Sequence, residues 1–409
     1  MSSRFTWRVL LLFAVTSVGM ADAGAPVQWR MDALVQLPID RAISNRGTVA
    51  RVYKSDIYVF GHQSLSQETV RLYVLRSGRT TWDTLTLSTT VPGITDDLDR
   101  RGQFADLHVD SARIVLLYWR KALVYSRTTE DEASLSRVIP LGSSYDQIGL
   151  ARTDCYVWMC AMTGQPSRVR VARLNLAAGT VLSEVALPDP PGMPYTYFYP
   201  RRVVQVVEDG IIVSEVASPK AVRYSFDGWP IDTLDFGLSS WSSQAAQAVE
   251  RLVRDTVLAA LPVKVLLDSL RPIVYAAPNV RTLTRIDHRT IVATIQWADT
   301  NTRGLYSGVP RSSHSVLRRN VDGQWFVLCD SLPDSSPELM SPIADSIPYP
   351  LSYAYFPGGE GVVYRILPFP EAALRAASFG EMRKVADEYA IENEEEAYSL
   401  VLYRIGQHD

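Results

Sequence analysis

The stretch Ala397 to Ile405 reads AYSLVLYRI, and it has almost no chain after it. Leu400, Val401, Leu402, Tyr403 and Ile405 make it nearly continuously apolar, the pattern of a strand buried on both faces. It follows a helical, acid-rich segment, so its β partner must come from elsewhere. Val27 to Leu37 (VQWRMDALVQL) is the best candidate. There Val27, Trp29, Met31, Ala33, Val35 and Leu37 alternate on one side, as an outermost strand should. Pairing the two as the third and fourth strands of one unit closes a ring.

Between these ends lie short apolar or alternating runs separated by turn residues, at a spacing of about 40 to 55 residues per set of four. Set one runs from Thr48 to Leu87, set two from Phe104 to Leu141, set three from Gln147 to Leu187 and set four from Arg202 to Phe236. Set five covers Val280 to Leu332. Set six supplies only Leu351 to Phe356, Gly361 to Leu367 and Ala397 to Ile405, so it is one strand short. Turn signals recur in register. Ser55-Asp56, Asp110-Ser111, Asp154, Asp209-Gly210, Asp287-His288 and Gly358-Gly359-Glu360 follow the first strands; Ser77-Gly78, Ala178-Gly179, Asp227-Gly228 and Asp322-Gly323 follow the third. Glycine takes positive φ freely and an Asx side chain bonds its own backbone, which tight hairpins require. Two segments break the pattern: an amphipathic helix at about 242–262, and a second helical insertion at about 370–391 opened by Pro370.

The amino terminus carries Arg4 and Arg8, an apolar run from Val9 to Met20, and Ala21-Asp22-Ala23. That is the layout of a secretory signal cleaved after Ala23. The run is shorter than the ~20 residues of a membrane span. No cysteine stands at the junction for lipid attachment, so residues 1–23 are expected to be a signal peptide. Residues 24–409 are then expected to be a single domain, secreted or periplasmic, with no transmembrane segment and monomeric. A formal charge of -3 offers no field to gather nucleic acid. Cys155 and Cys160 share one strand-like run, so their Cα atoms would stand roughly 16 Å apart, too far for a disulfide. Cys329 could pair with either one, but no feature of the sequence supports that, and all three read as buried thiols.

The set-of-four pattern, the D-G turns and the Leu-Pro endings Leu37-Pro38, Leu187-Pro188 and Leu332-Pro333 resemble the TolB-like and NHL-like group of six-bladed β-propellers, and exported bacterial members of it in particular. The resemblance covers roughly residues 27 to 409. It implies an all-β fold of four-stranded antiparallel blades, closed by the amino-terminal strand. Trp82-Asp83 occurs once, without the companion Gly-His of WD repeats, and no Asp-box is present. The resemblance carries no catalytic motif.

Chemistry-bearing constellations are few. A calcium-dependent lactonase would need Glu, Asn and Asp converging from several inner strands; of acids, only Asp106 lies well inside one. Asp106 and His108 share a face at i, i+2 spacing, and either a proton-transfer pair or a structural pair fits. No cofactor motif occurs. The loop Thr95 to Arg101 groups Asp96, Asp97 and Asp99, a weak calcium candidate or a solvated acidic loop. Pro194 to Arg202 (PYTYFYPRR) sets Tyr195, Tyr197, Phe198 and Tyr199 beside Arg201 and Arg202. Rigid rings with guanidinium groups suit recognition surfaces, although the same rings would also wedge between units. The expectation is a binding or protein-interaction module of the cell envelope taking a peptide, glycan or protein. The alternative is a hydrolase or lyase with Asp106 and His108 as acid and base at the central channel.

Overall fold

The computed structural model describes residues 27–38, 43, 48–61, 69–88, 104–118, 120–151, 153–159, 169–188, 203–214, 218–237, 279–298, 310–333, 356–367, 369–374, 381, 384–385, 387–389 and 397–407. In chain order the strands fall into quartets. The chain starts with β1 (Val27–Gln36). Quartet I is β2 (Val49–Tyr53), β3 (Asp56–Phe60), β4 (Thr69–Leu75) and β5 (Asp83–Ser88). Quartet II is β6 (Phe104–Val109), β7 (Arg113–Tyr118), β8 (Lys121–Arg127) and β9 (Glu132–Pro140). Quartet III is β10 (Gln147–Ala151), β11 (Asp154–Met159), β12 (Val169–Asn175) and β13 (Thr180–Leu187). Quartet IV is β14 (Val204–Val207), β15 (Gly210–Ser214), β16 (Lys220–Tyr224) and β17 (Pro230–Asp235). Quartet V is β18 (Asn279–Arg285), β19 (Thr290–Ala298), β20 (Pro310–Arg319) and β21 (Trp325–Pro333). Last come β22 (Phe356–Gly359), β23 (Val362–Leu367), the short helix α1 (Glu371–Leu374) and β24 (Ser399–Gln407).

Quartet VI is completed from the other end of the chain, in the order β1-β24-β23-β22. Quartets III, IV and V are separate four-stranded antiparallel sheets, whereas I and II join into one eight-stranded sheet. The junction is a parallel pairing of β5 with β9, Leu87 opposite Ala133, reinforced by Arg76, which bridges Asp83 at 3.2 Å and Asp131 at 2.9 Å. The sequence predicts separate sets here. Fourth strands of successive quartets run the same way, so where their outer edges meet they can pair only in parallel. The first strands make a closed circuit, β2 packing on β6, β6 on β10, β10 on β14, β14 on β18, β18 on β22 and β22 on β2.

Sheets pack face to face around this circuit, which is why the strands are apolar on both sides. Val59, Phe60, Leu72, Leu87, Leu116 and Leu123 are fully buried, each side chain contributing roughly 1.5–3 kcal/mol by leaving water. In β24 the two faces separate cleanly: Val401 and Tyr403 enter the cluster shared with quartet V, and Leu400 and Leu402 the cluster shared with quartet I.

Strand β1 corrects one expectation. Its apolar residues do not keep to one side, because the register slips between Met31 and Ala33. Trp29 and Leu34 pack toward quartet V, Ala33 and Val35 toward quartet I. The extra residue, Asp32, accepts 2.6 and 3.1 Å hydrogen bonds from Arg404 and Arg30 at the surface. A bulge shifts the side-chain period by one and so exchanges the faces. Closure is further held by Leu37 N donating to Tyr398 O at 2.8 Å, by Trp82 Nε1 donating to Gln36 O at 2.8 Å, and by the edge-on contact of Trp29 with His314, centroids 5.2 Å apart.

The described part of the last first strand also differs. It spans Phe356 to Gly359 with a register slip at Gly358, and Gly358-Gly359, expected as turn, belong to the strand while Glu360-Gly361 make the turn. Gly359 sits at φ 87°, and a Cβ there would lie 2.8 Å from Val52 O of quartet I, so close approach of two backbones decides the residue. The β2–β3 hairpin is tighter than glycine-free sequences favour: Lys54 and Ser55 both take positive φ, 51° and 66°. Their amides donate to the Glu360 carboxylate at 2.5 and 3.2 Å, so quartet VI holds the turn of quartet I in place. At α1, Ala373 N and Leu374 N donate to Pro370 O at 3.0 and 3.3 Å. The segments expected as a signal peptide and as the helix at about 242–262 lie outside the described residues. Among those described, no helix is long and apolar enough to cross a membrane.

Candidate functional site

A first strand pairs along only one edge, with the second strand of its own quartet; its other edge faces the axis and needs partners for N–H and C=O groups. Arg51, Asp106 and Gln205 supply several of them, whereas Gln147 Nε2 and Thr282 Oγ1 have no hydrogen-bond partner among the described residues. Each of five quartets carries a buried polar residue there: Arg51, Asp106, Gln147, Gln205 and, in quartet V, Thr282 and Thr284. Asp106, Gln147 and Gln205 are only 1%, 2% and 3% exposed.

Asp106 is the centre of this arrangement. One carboxylate oxygen accepts from the Arg51 guanidinium and from Leu107 N at 2.8 Å. The other accepts from Ile148 N at 3.0 Å. Arg51 in turn donates to Ala50 O at 2.8 Å and to Pro357 O at 2.6 Å. Two side chains thus tie together quartets VI, I, II and III. On the other side of the axis, Gln205 donates to Val206 O at 3.1 Å and accepts from Arg285 N at 3.2 Å. Arg285 continues the chain through an ion pair with Glu208 and a 2.5 Å bond to Leu150 O. Charge-assisted bonds of this kind are the strong ones.

His108 lies two residues from Asp106, as the spacing implies, but no hydrogen bond joins them among the described residues. Its Nε2 is 3.9 Å from Asp110 Oδ2. Burial drives its pKa down to about 4, against the pull of the Asp110 charge and with the repulsion of Arg51. The ring is therefore neutral at ordinary pH. Tyr195, Tyr197, Phe198, Tyr199, Arg201, Arg202 and the acidic trio Asp96, Asp97 and Asp99 lie outside the described residues. Among those described, no three His, Cys, Asp or Glu side chains are grouped to hold a metal ion. Cys155 is buried with its thiol pushed up to about 12 by desolvation, a small hydrophobe rather than a nucleophile, and Cys329 is half-buried; neither is in a disulfide. Cys160 is not among the described residues.

Sequence reasoning passed over Arg51, Gln147 and Gln205. A signal was there: one polar residue inside each short apolar first strand (VARVY, QIGLA, VQVV). Polar residues in such runs are costly unless bonded, so their recurrence marks an axis that needs donors and acceptors.

Antiparallel sheets set around an axis, first strands innermost and the last sheet completed by the amino-terminal strand, define a β-propeller. No protein-family profile matches the chain, and no curated protein matches it. Solved structures do. A Bacteroides fragilis protein described as a candidate exported protein superposes with TM-score 0.48 at 12% identity, over 92% of this chain and 95% of that one. The WD40 domain of Neurospora crassa Pan2 gives TM-score 0.41 at 8% identity, over 77% and 74%. Citrobacter koseri AztD gives 0.31 at 15% identity, over 46% of each chain. The fold assignment rests on the strand order and the axial circuit, not on these superpositions.

Proposed function

We propose that the protein is an exported six-bladed β-propeller of the TolB-like and NHL-like kind, working as a binding or protein-interaction module in the cell envelope. The blade count rests on the circuit of first strands: β2, β6, β10, β14, β18 and β22 each touch two others. On this reading the eight-stranded sheet is two blades fastened at the rim.

The observation that carries the functional reading is the one-sided distribution of chain. First-to-second strand connections are short, Tyr53 to Asp56, Val109 to Arg113, Ala151 to Asp154 and Val207 to Gly210. The fourth strands end, and the next first strands begin, on the opposite face, and several of the intervening segments are long: Ser88 to Phe104, Leu187 to Val204, Asp235 to Asn279 and Pro333 to Phe356. Variable connections on a rigid scaffold are where recognition is built. The segment Tyr195 to Arg202 belongs to the crossing between Leu187 and Val204, and we take its rings and guanidinium groups as the binding surface for a peptide, glycan or partner protein. The axial polar residues Asp106, Arg51 and Gln205 spend their hydrogen bonds on neighbouring strands, which favours binding over hydrolysis with Asp106 and His108.

Affinity capture from an envelope extract tests this, comparing wild type with a Tyr197→Ala, Tyr199→Ala double variant. Loss of captured partner with an unchanged melting curve is expected. Equal capture by both would remove the loop from the site. Mass measurement of the secreted protein should place its first residue at Gly24.

A further inference from the structure

The wedge between quartets I and II is fastened at both the axis and the rim. The Arg51–Asp106 pair seals it at the axis and the β5–β9 pairing at the rim. Its walls are the apolar cluster of Tyr58, Phe60, Val70, Leu72, Ile114, Leu116 and Leu123. Into this cluster quartet II sends two phenols: Tyr118 and Tyr125 are 1% and 0% exposed. Neither hydroxyl has a hydrogen-bond partner among the described residues. They lie near enough for ionisation of Tyr125 to oppose that of Tyr118.

Two residues beyond Tyr125 on the same strand, and so on the same face, stands Arg127. Its guanidinium lies over the Tyr58 ring, 5.2 Å from the centroid, a cation–π contact. Its Nε and Nη2 are buried and also have no acceptor. Nearby carboxylates are already occupied: Asp131 and Asp83 pair with Arg76, and Asp110 with Arg113. Tyr125 and Arg127, two residues apart on one face, thus bring a hydroxyl and two guanidinium nitrogens with no acceptor among the described residues, whereas Tyr118, level with Lys121 in the ladder, lies six residues further along. Burying such donors unpaired is costly, and one acceptor-rich, negatively charged group would answer those of Tyr125 and Arg127. Arg127 is half-buried and ends β8, at the edge of this cluster.

We propose that this wedge binds a small oxyanion, a carboxylate or phosphate group, held by the Arg127 guanidinium and the Tyr125 hydroxyl, which stand two residues apart on one face of β8. The Tyr58 ring fixes the guanidinium plane, and the apolar walls exclude water and strengthen each bond. A ligand that binds only the folded state raises its melting temperature saturably.

Sodium phosphate and sodium formate, titrated separately into the purified protein against sodium chloride at matched ionic strength, test the site by melting temperature. Wild type is expected to show a saturable rise above the chloride control with one of the two, which also tells phosphate from carboxylate preference. Arg127→Gln should lose it. Tyr125→Phe should melt above wild type in chloride, where it removes an unpartnered hydroxyl, and below it at saturating anion, where it removes a bond. The proposal is overturned by no saturable rise in wild type or by a rise that Arg127→Gln retains. It is overturned equally if Tyr125→Phe shifts melting by the same sign and size in both salts, the mark of a hydroxyl satisfied by permanent water.

Discussion

Replacing Asp106 by alanine removes one carboxylate and strands three donors from three quartets: the Arg51 guanidinium, Leu107 N and Ile148 N. Arg51 keeps its bonds to Ala50 O and Pro357 O, but its charge loses its counter-ion where the two side chains are 10% and 1% exposed. Breaking a buried ion pair from one side costs about 3–5 kcal/mol. The amides at the axial edge can recover water in part, so ~4 kcal/mol is the working figure. With an unfolding entropy near 2.1 cal/mol/K per residue, the 409-residue chain loses roughly 5 °C in melting temperature. Differential scanning calorimetry and a urea titration should agree on that loss. A double-mutant cycle adds the decisive reading. Arg51→Met alone should also destabilise by leaving Asp106 with two amides only, yet Asp106→Leu with Arg51→Met should cost far less than the sum, because no buried charge remains. A shift below about 1 °C for Asp106→Ala, or strict additivity in the cycle, would refute the view that the axis is held by this pair.

Three further outcomes follow from the geometry. His108 has its pKa lowered from 6.5 to about 4 by burial, so between those values the unfolded chain takes a proton that the folded one refuses; stability is full above pH 6.5 and falls by about 3 kcal/mol as pH drops to 4, and His108→Gln should flatten that slope in urea titrations run across the window. Gly359→Ala places a Cβ 2.8 Å from Val52 O at φ 87° and should cost on the order of 2 kcal/mol or more; an unchanged midpoint of unfolding would show that quartets VI and I do not approach so closely. Deleting residues 27–38 removes the strand paired to β24 from Gln407 to Ser399, exposes Val401 and Tyr403, and should abolish the cooperative thermal transition, as circular dichroism would record; a truncated chain melting like wild type would show that the ring is not closed by β1.

Much of the fold could be read in advance because its information is local. Continuous apolar character in Ala397 to Ile405 told of burial on two faces, and burial on two faces told of a strand inside a stack of sheets. The D-G and Asx turns recurred because hairpins demand positive φ at fixed places, as at Gly228 (86°) and Gly323 (86°). The partner of the last strand followed by elimination and pairs as expected, with Trp29 opposite Ile405.

What escaped the sequence depends on contacts between quartets. Asp32 as a bulge, and with it the exchange of faces in β1, is set by how β24 presents both of its sides at once. The rim pairing of β5 with β9 is invisible in either strand alone, since an outer edge pairs only if the next quartet happens to approach it. Above all, Asp106 reads in one dimension as a candidate acid beside His108. Only in three dimensions does its carboxylate meet Arg51 from one neighbour and Ile148 N from the other. A sequence records which groups are charged; the tertiary structure decides which are already neutralised, because desolvation and hydrogen bonding come from residues 42 and 55 positions away. The turns, the two-sided strands and the closing partner belonged to the chain as written, while the bonded axis and the unpartnered donors of Tyr118, Tyr125 and Arg127 exist only once the quartets stand side by side.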